Sequence, residues 1–172
     1  DVELWSITEA ENGDIWIGTS YGLAKEKQLE ETLYTPVDRS SVLSAQGEGP
    51  ELPELIRNSY SSEIFTASNG FVDDVAYATT FDENGILWVG TLYNGVYKYE
   101  NGTFQQFSTA NGLKSDNIIK MKPDGKGGMW IATNVGLSHY SNGVMRTYTR
   151  EDGLWMDMIF NVIVDGVNVW IG

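Results

Sequence analysis

Polar and apolar residues alternate with a period of two along most of this chain, in runs too short for helices. Residues 75–81, VAYATTF, alternate. Residues 86–91, ILWVGT, are apolar almost throughout, and GVYKYE at 95–100 and TFQQFST at 103–109 return to alternation. Each run is rich in β-branched and aromatic residues and is bounded by Gly-containing turns, which predicts four short strands joined by tight hairpins. Asn-Gly recurs at 12–13, 84–85, 101–102 and 142–143, and suits two-residue hairpin loops that need positive φ. The second run lacks a polar face, as expected of a strand covered on both sides. Helical periodicity is confined to GPELPELIRNSY at 49–60, where Pro50 and Pro53 limit any helix to a turn or two.

The four-strand unit repeats. Its second strand is marked by Trp16, Trp88, Trp130 and Trp170, separated by 72, 42 and 40 residues. NGTFQQFSTANGLKSDNI at 101–118 also lies over NGVMRTYTREDGLWMDMI at 142–159 without a gap. From Gly95 to Gly112 and from Gly136 to Gly153 is 17 residues, but from Gly22 to Gly70 is 48. The first unit therefore carries 31 additional residues, and without them the step of 72 becomes 41. Four antiparallel strands every 40 or so residues predict an all-β fold of β-propeller blades. The blades divide as 1–72 (with an insertion at 27–62), 73–114, 115–155 and a half blade at 156–172. Three and a half blades do not close a ring, so the expectation is a fragment of a larger, seven-bladed propeller. The four tryptophans then belong to blade packing, with Gly18 and Gly90 leaving room for the next blade.

The unit DENGILWVGTLYNGVYKYENGTFQQFSTANGLKSDNI at 82–118 resembles the two-component regulator propeller repeat. The resemblance covers nearly the whole chain outside the insertion; Ala132 departs from it, standing where the repeat has Gly. It implies the extracytoplasmic sensor propeller of a bacterial hybrid two-component histidine kinase, on the periplasmic side of the inner membrane. It further implies a kinase or cyclase output module elsewhere in the protein, with an oligosaccharide or other small ligand expected. A homodimer is a further expectation. A secreted binding or adhesion propeller without signalling is the alternative, and a carbohydrate-active enzyme the third reading.

Composition narrows the chemistry. Twenty-four acidic residues against 11 basic ones give a net charge of −13, which argues against a nucleic-acid partner. With no Cys and one His among the 172 residues, thiol catalysis, disulfides and a two-histidine metal site are excluded. No apolar run approaches the 18 residues of a membrane span, and neither a cofactor motif nor the acidic spacing of a calcium loop is present. His139 corresponds to Lys98 in the repeat and is expected on a strand, facing solvent or a neighbouring blade. Asp74, Asp116 and Asp157 share one repeat position, and Asp82, Asp124 and Asp165 nearly share another. Residues that recur in every blade serve the blade, here by bonding to turn backbone, which leaves no separate carboxylate pair for glycoside hydrolysis.

Candidate ligand-binding residues are those that depart from the repeat. The loops joining second to third strands, and those joining one blade to the next, share one end of the blades; the other hairpins share the opposite end. At the first end Trp155 stands where the previous blade has Lys114, and an aromatic side chain there can stack on a sugar or plug the space between loops. Tyr21 and Tyr93 are further stacking candidates, with Lys114 and Asn134 as hydrogen-bonding ones. The insertion, rich in Glu, Ser and Pro, is expected at the outer edge or hairpin end, as a surface loop or docking element.

Overall fold

The structure, a computed structural model, describes residues 2–28, 60–71 and 75–172. Blade 1 consists of β1 (Leu4–Glu9), β2 (Ile15–Thr19), β3 (Gly22–Gln28) and β4 (Tyr60–Phe65). Blade 2 comprises β5 (Ala76–Phe81), β6 (Leu87–Thr91), β7 (Val96–Glu100) and β8 (Thr103–Phe107). Blade 3 comprises β9 (Ile118–Pro123), β10 (Met129–Thr133), β11 (Gly136–Ser141) and β12 (Val144–Tyr148); β13 (Val162–Asp165) and β14 (Asn168–Ile171) form a two-stranded sheet after it. In each four-stranded sheet the strands lie in chain order and pair antiparallel. The first strands pack on one another, β1 on β5, β5 on β9 and β9 on β13. They therefore form the inner edge from which the blades fan out, and the fourth strands lie outermost. These are β-propeller blades, with a core between each successive pair.

Each core is closed by the tryptophan of one blade meeting the next. Trp16 joins Leu23, Phe65 and Phe71 of its own blade and linker to Leu87, Val89 and Tyr97 of blade 2. Trp88 joins Val96 and Phe107 to Ile118, Met121, Met129 and Ile131 of blade 3. Ala132 and Leu137 meet Ile159 and Val162, with Trp130 packed alongside. The second strands read alike, yet their burial differs. β6, sandwiched between two blades, is buried at all five positions, whereas β2, covered on one face, alternates. The same cause separates the tryptophans. Trp88 is fully buried, Trp130 half-buried and Trp170 62% exposed, because no described blade follows it.

The glycine of the second strand sets the spacing between blades. A Cβ on Gly18 would collide with the carbonyl oxygen of Ala76 in blade 2, and one on Gly90 would lie 2.5 Å from Cγ2 of Ile118 in blade 3. At the third interface Ala132 is accommodated, fully buried.

The Asn-Gly turns differ in part from the expectation. Asn101-Gly102 and Asn142-Gly143 are two-residue hairpins with both residues at positive φ. The other Asn-Gly pairs lie in longer connections between first and second strands. There Phe81 pairs with Leu87 and only Gly85 has positive φ, because Asp82 organises the turn through its side chain. β3 and β4 extend into the insertion expected at 27–62, where Lys27 pairs with Ser61 and Gln28 with Tyr60. The rest of it, including the helical turn expected over 49–60 apart from Tyr60, lies outside the described residues, as does Asp74. Finally, each blade-to-blade linker contains a 3₁₀ turn that alternation does not reveal. Thr66, Ser108 and Thr149 cap these turns while Asn69, Asn111 and Asp152 bond back to the cap backbone.

Candidate functional site

The two sets of loops at one end of the blades are tied together. Each second strand ends on a threonine whose hydroxyl closes the loop that follows. Thr19 Oγ1 donates to Gly22 O at 2.9 Å, Thr91 Oγ1 to Gly95 O at 3.0 Å and Thr133 Oγ1 to Gly136 O at 2.9 Å. The linker between blades 2 and 3 then bridges two of these loops. Asn117 Nδ2 donates to Leu92 O at 3.1 Å, Gly95 N to Asp116 O at 3.0 Å and Ser115 Oγ to Asn134 Oδ1 at 2.6 Å. Buried hydroxyls and short loops hold this rim, so side chains at the loop tips are directed outward.

Tyr21 and Tyr93 occupy those tips, each 70% exposed, and Val135 takes the equivalent place in blade 3. They follow their threonines by two residues, so the two tyrosines are a repeated feature rather than two separate departures. Trp155 lies on the linker after blade 3 and is 89% exposed. Around it the polar rim chemistry changes, with Met156 and Met158 standing where the preceding linker has Ser115 and Asn117. Both methionines and Phe160 are exposed, giving that linker an apolar surface. Lys114 is exposed, while half-buried Asn134 is joined to Lys114's neighbour, Ser115. The predicted residues therefore share one end. Lys114 and Asn134 are brought close, and the three aromatics sit on separate loops.

The recurrent aspartates bind backbone. Asp116 accepts from the backbone N–H and the hydroxyl of Thr109 at 2.7 and 2.8 Å, and Asp157 accepts from Arg150 N at 3.2 Å. At the hairpin end the Asp82 carboxylate accepts from Asn84 N, Ile86 N and, at 3.0 Å, the Trp88 indole. Asp124 repeats the turn contacts with Lys126 N and Gly128 N, but its second oxygen meets His139 Nε2 at 2.8 Å. His139 is half-buried, with its ring stacked on Trp130 at 4.0 Å. It is thus held within its own blade, and cross-strand register places it directly opposite Trp130, as Lys98 is opposite Trp88 and Lys25 opposite Trp16. Blade 1 has Ala10 in place of the turn aspartate. Asp14, just before β2, supplies the carboxylate instead and pairs with Lys25 at 2.7 Å.

These contacts set the electrostatics. The Lys25 ammonium is the main cause holding the Asp14 carboxyl below its ordinary pKa, against the effect of burial. For Asp124 burial is the largest influence and opposes ionisation, yet His139 and the two backbone N–H groups together outweigh it and lower the pKa. A cleft of about 530 Å³ at this end, between blades 1 and 2, includes Asp14, Asp82 and Lys25, all engaged as described. Among the described residues no group of three or more His, Asp or Glu is placed to hold a metal ion, and no helix is long and apolar enough to cross a membrane.

Comparison with known proteins places the fold. Neither a family model nor a curated protein sequence matches the chain. Among solved structures it is similar to the extracellular domain of BT3049 from B. thetaiotaomicron, assigned to a hybrid two-component system. That similarity has a TM-score of 0.68 at 21% identity over 99% of this chain and 20% of the other. The corresponding domain of BT4673 from the same organism gives 0.63 at 17% identity, over 98% of this chain and 20% of that one. PorZ, a surface component of the type IX secretion system of Porphyromonas gingivalis, gives 0.62 at 15% identity, over 98% and 24%. The chain thus spans only a fifth to a quarter of the length of these structures.

Proposed function

We propose that this chain is part of an extracytoplasmic ligand-sensing propeller of a two-component signalling protein. It binds an oligosaccharide or another small ligand at the loop-bearing mouth and passes a rearrangement to an output module of the same protein. The observation that carries the binding assignment is the exposure of Tyr21 and Tyr93 on loops closed by the hydroxyls of Thr19 and Thr91, with Trp155 exposed on the linker after blade 3. Large rings on a fixed rim stack on a saccharide at small entropic cost. The likeness to the extracellular domains of BT3049 and BT4673 supports the sensor assignment through the fold, and fold alone does not dictate function. A ligand here acts as a signal only if it binds one arrangement of the blades more tightly than another.

The test is calorimetry of the full-length protein against a panel of neutral oligosaccharides, with Trp155→Ala beside wild type. The expected result is a Kd raised about tenfold, a loss on the scale of one ring contact. Unchanged affinity removes Trp155 from the site, and no binding across the panel overturns the saccharide assignment. The same exposed rings suit a protein surface equally well. A secreted adhesion propeller therefore remains the second reading, separated from the first by whether the full protein carries a membrane span and a kinase or cyclase domain.

A further inference from the structure

The inner strand of each four-stranded blade carries the same irregularity. Pairing of β1 with β2 slips between Leu4 and Ser6, and that of β5 with β6 between Ala76 and Ala78. In blade 3, Ala132 and Thr133 face Lys120 and Ile118. The residues skipped are Trp5, Tyr77 and Ile119, each 11 positions before its blade's tryptophan. A bulge of this kind turns its extra side chain out of the regular alternation. Phe160 holds the corresponding place ahead of β13, ten residues before Trp170. These four side chains line a single groove of about 540 Å³ along the inner edge of the blades, just inside the mouth.

If these residues only packed blades together, they would join the cores between blades; none of the three cores includes any of them. Instead Trp5 and Phe160 are 43% and 62% exposed, and the Trp5 and Tyr77 rings lie 5.2 Å apart at 42°. The charge is equally selective. Lys120 and Lys122, both exposed, line the groove, and among the described residues no Asp or Glu does, in a chain with 24 acidic and 11 basic residues. The volume lies within the range of small-molecule sites.

We propose that this collar binds a small anion built on a six-membered ring, an aryl or glycosyl carboxylate. The ring lies against Trp5, Tyr77 and Phe160, and the carboxylate faces the ammonium groups of Lys120 and Lys122. The site does not depend on Tyr21, Tyr93 or Trp155. The test is calorimetry of the full-length protein with 4-hydroxybenzoate and galacturonate, and with phenol and galactose as their neutral counterparts. At least one acid binds about tenfold more tightly than its neutral counterpart, and added salt weakens it. Both Trp5→Ala and the double variant Lys120→Met/Lys122→Met raise its Kd about tenfold, while Val144→Ala, exposed on the outer strand β12, leaves it unchanged. The lysines are exposed, so the double variant tests the site even if Trp5→Ala fails to fold. The proposal is overturned if neither acid binds at millimolar concentration, if the neutral compounds bind as well, or if either collar variant retains wild-type affinity. Loss with Trp155→Ala but not with Trp5→Ala also overturns it, and leaves the mouth assignment standing.

Discussion

Replacing Trp88 tests how blades are held together, because this side chain combines two separable contributions. Its ring is fully buried in the core between blades 2 and 3, stacked with Phe107 at 5.9 Å and tilted against Tyr140 at 5.2 Å. Its indole N–H satisfies Asp82, a residue only 7% exposed. Trp88→Ala removes the ring and leaves a cavity, at a cost of about 3–5 kcal/mol. It also strips a buried carboxylate oxygen of its donor, worth about 1–3 kcal/mol more. Trp88→Phe keeps most of the apolar contact but loses the donor, so it should cost about 2–3 kcal/mol, much of it from Asp82. Trp155→Ala, at an exposed loop tip, serves as the control and should stay within about 0.5 kcal/mol. The assay is urea denaturation of the full-length protein, followed by fluorescence and circular dichroism and read as midpoints at constant slope. A loss below about 1 kcal/mol for Trp88→Ala would refute the blade-core account. Equal losses at Trp88 and Trp155 would show that Trp155 also packs in a core.

Two further expectations follow from the geometry. Gly18→Ala meets a backbone carbonyl that cannot step aside, whereas Gly90→Ala meets the side chain of Ile118. Both should destabilise by about 1–3 kcal/mol with Gly18→Ala the worse, and denaturation midpoints in the reverse order would refute the argument. Asp14 and Asp124 have lowered carboxyl pKa values in the folded chain. Their ionised contacts therefore stabilise fully above the unfolded value of about 3.9, and that contribution is lost as pH falls through the folded values. Asp124→Asn should flatten the acid limb of a stability–pH curve relative to wild type, and an unchanged limb would count against the His139 and backbone contacts as its origin.

The strands, their order within each blade and the repeat were readable in the sequence because their determinants are local. Period-two alternation, Asn-Gly at Asn101 and Asn142, and the recurring Trp-x-Gly or Trp-x-Ala step each act over a few residues. The 3₁₀ turns had a signal too, Thr or Ser followed three residues later by Asn or Asp and then Gly, but it is a capping pattern that alternation does not display. The exposed loop tips were also legible, since Tyr21, Tyr93 and Trp155 sit beyond the strand pattern. Other features depended on neighbours distant in the chain. Nearly identical second strands are buried on one face or two according to how many described blades flank them, as β2 and β6 show. The contact of His139 with Asp124 joins residues 15 apart, one on β11 and one in the turn after β9. The inner collar is the extreme case. Trp5, Tyr77, Ile119 and Phe160 lie in separate blades and look like ordinary strand residues in sequence. Trp5, Tyr77 and Ile119 are turned out of the alternation by bulges, and they come together with Phe160 only because the inner strands pack side by side, a contact between blades that no single repeat encodes.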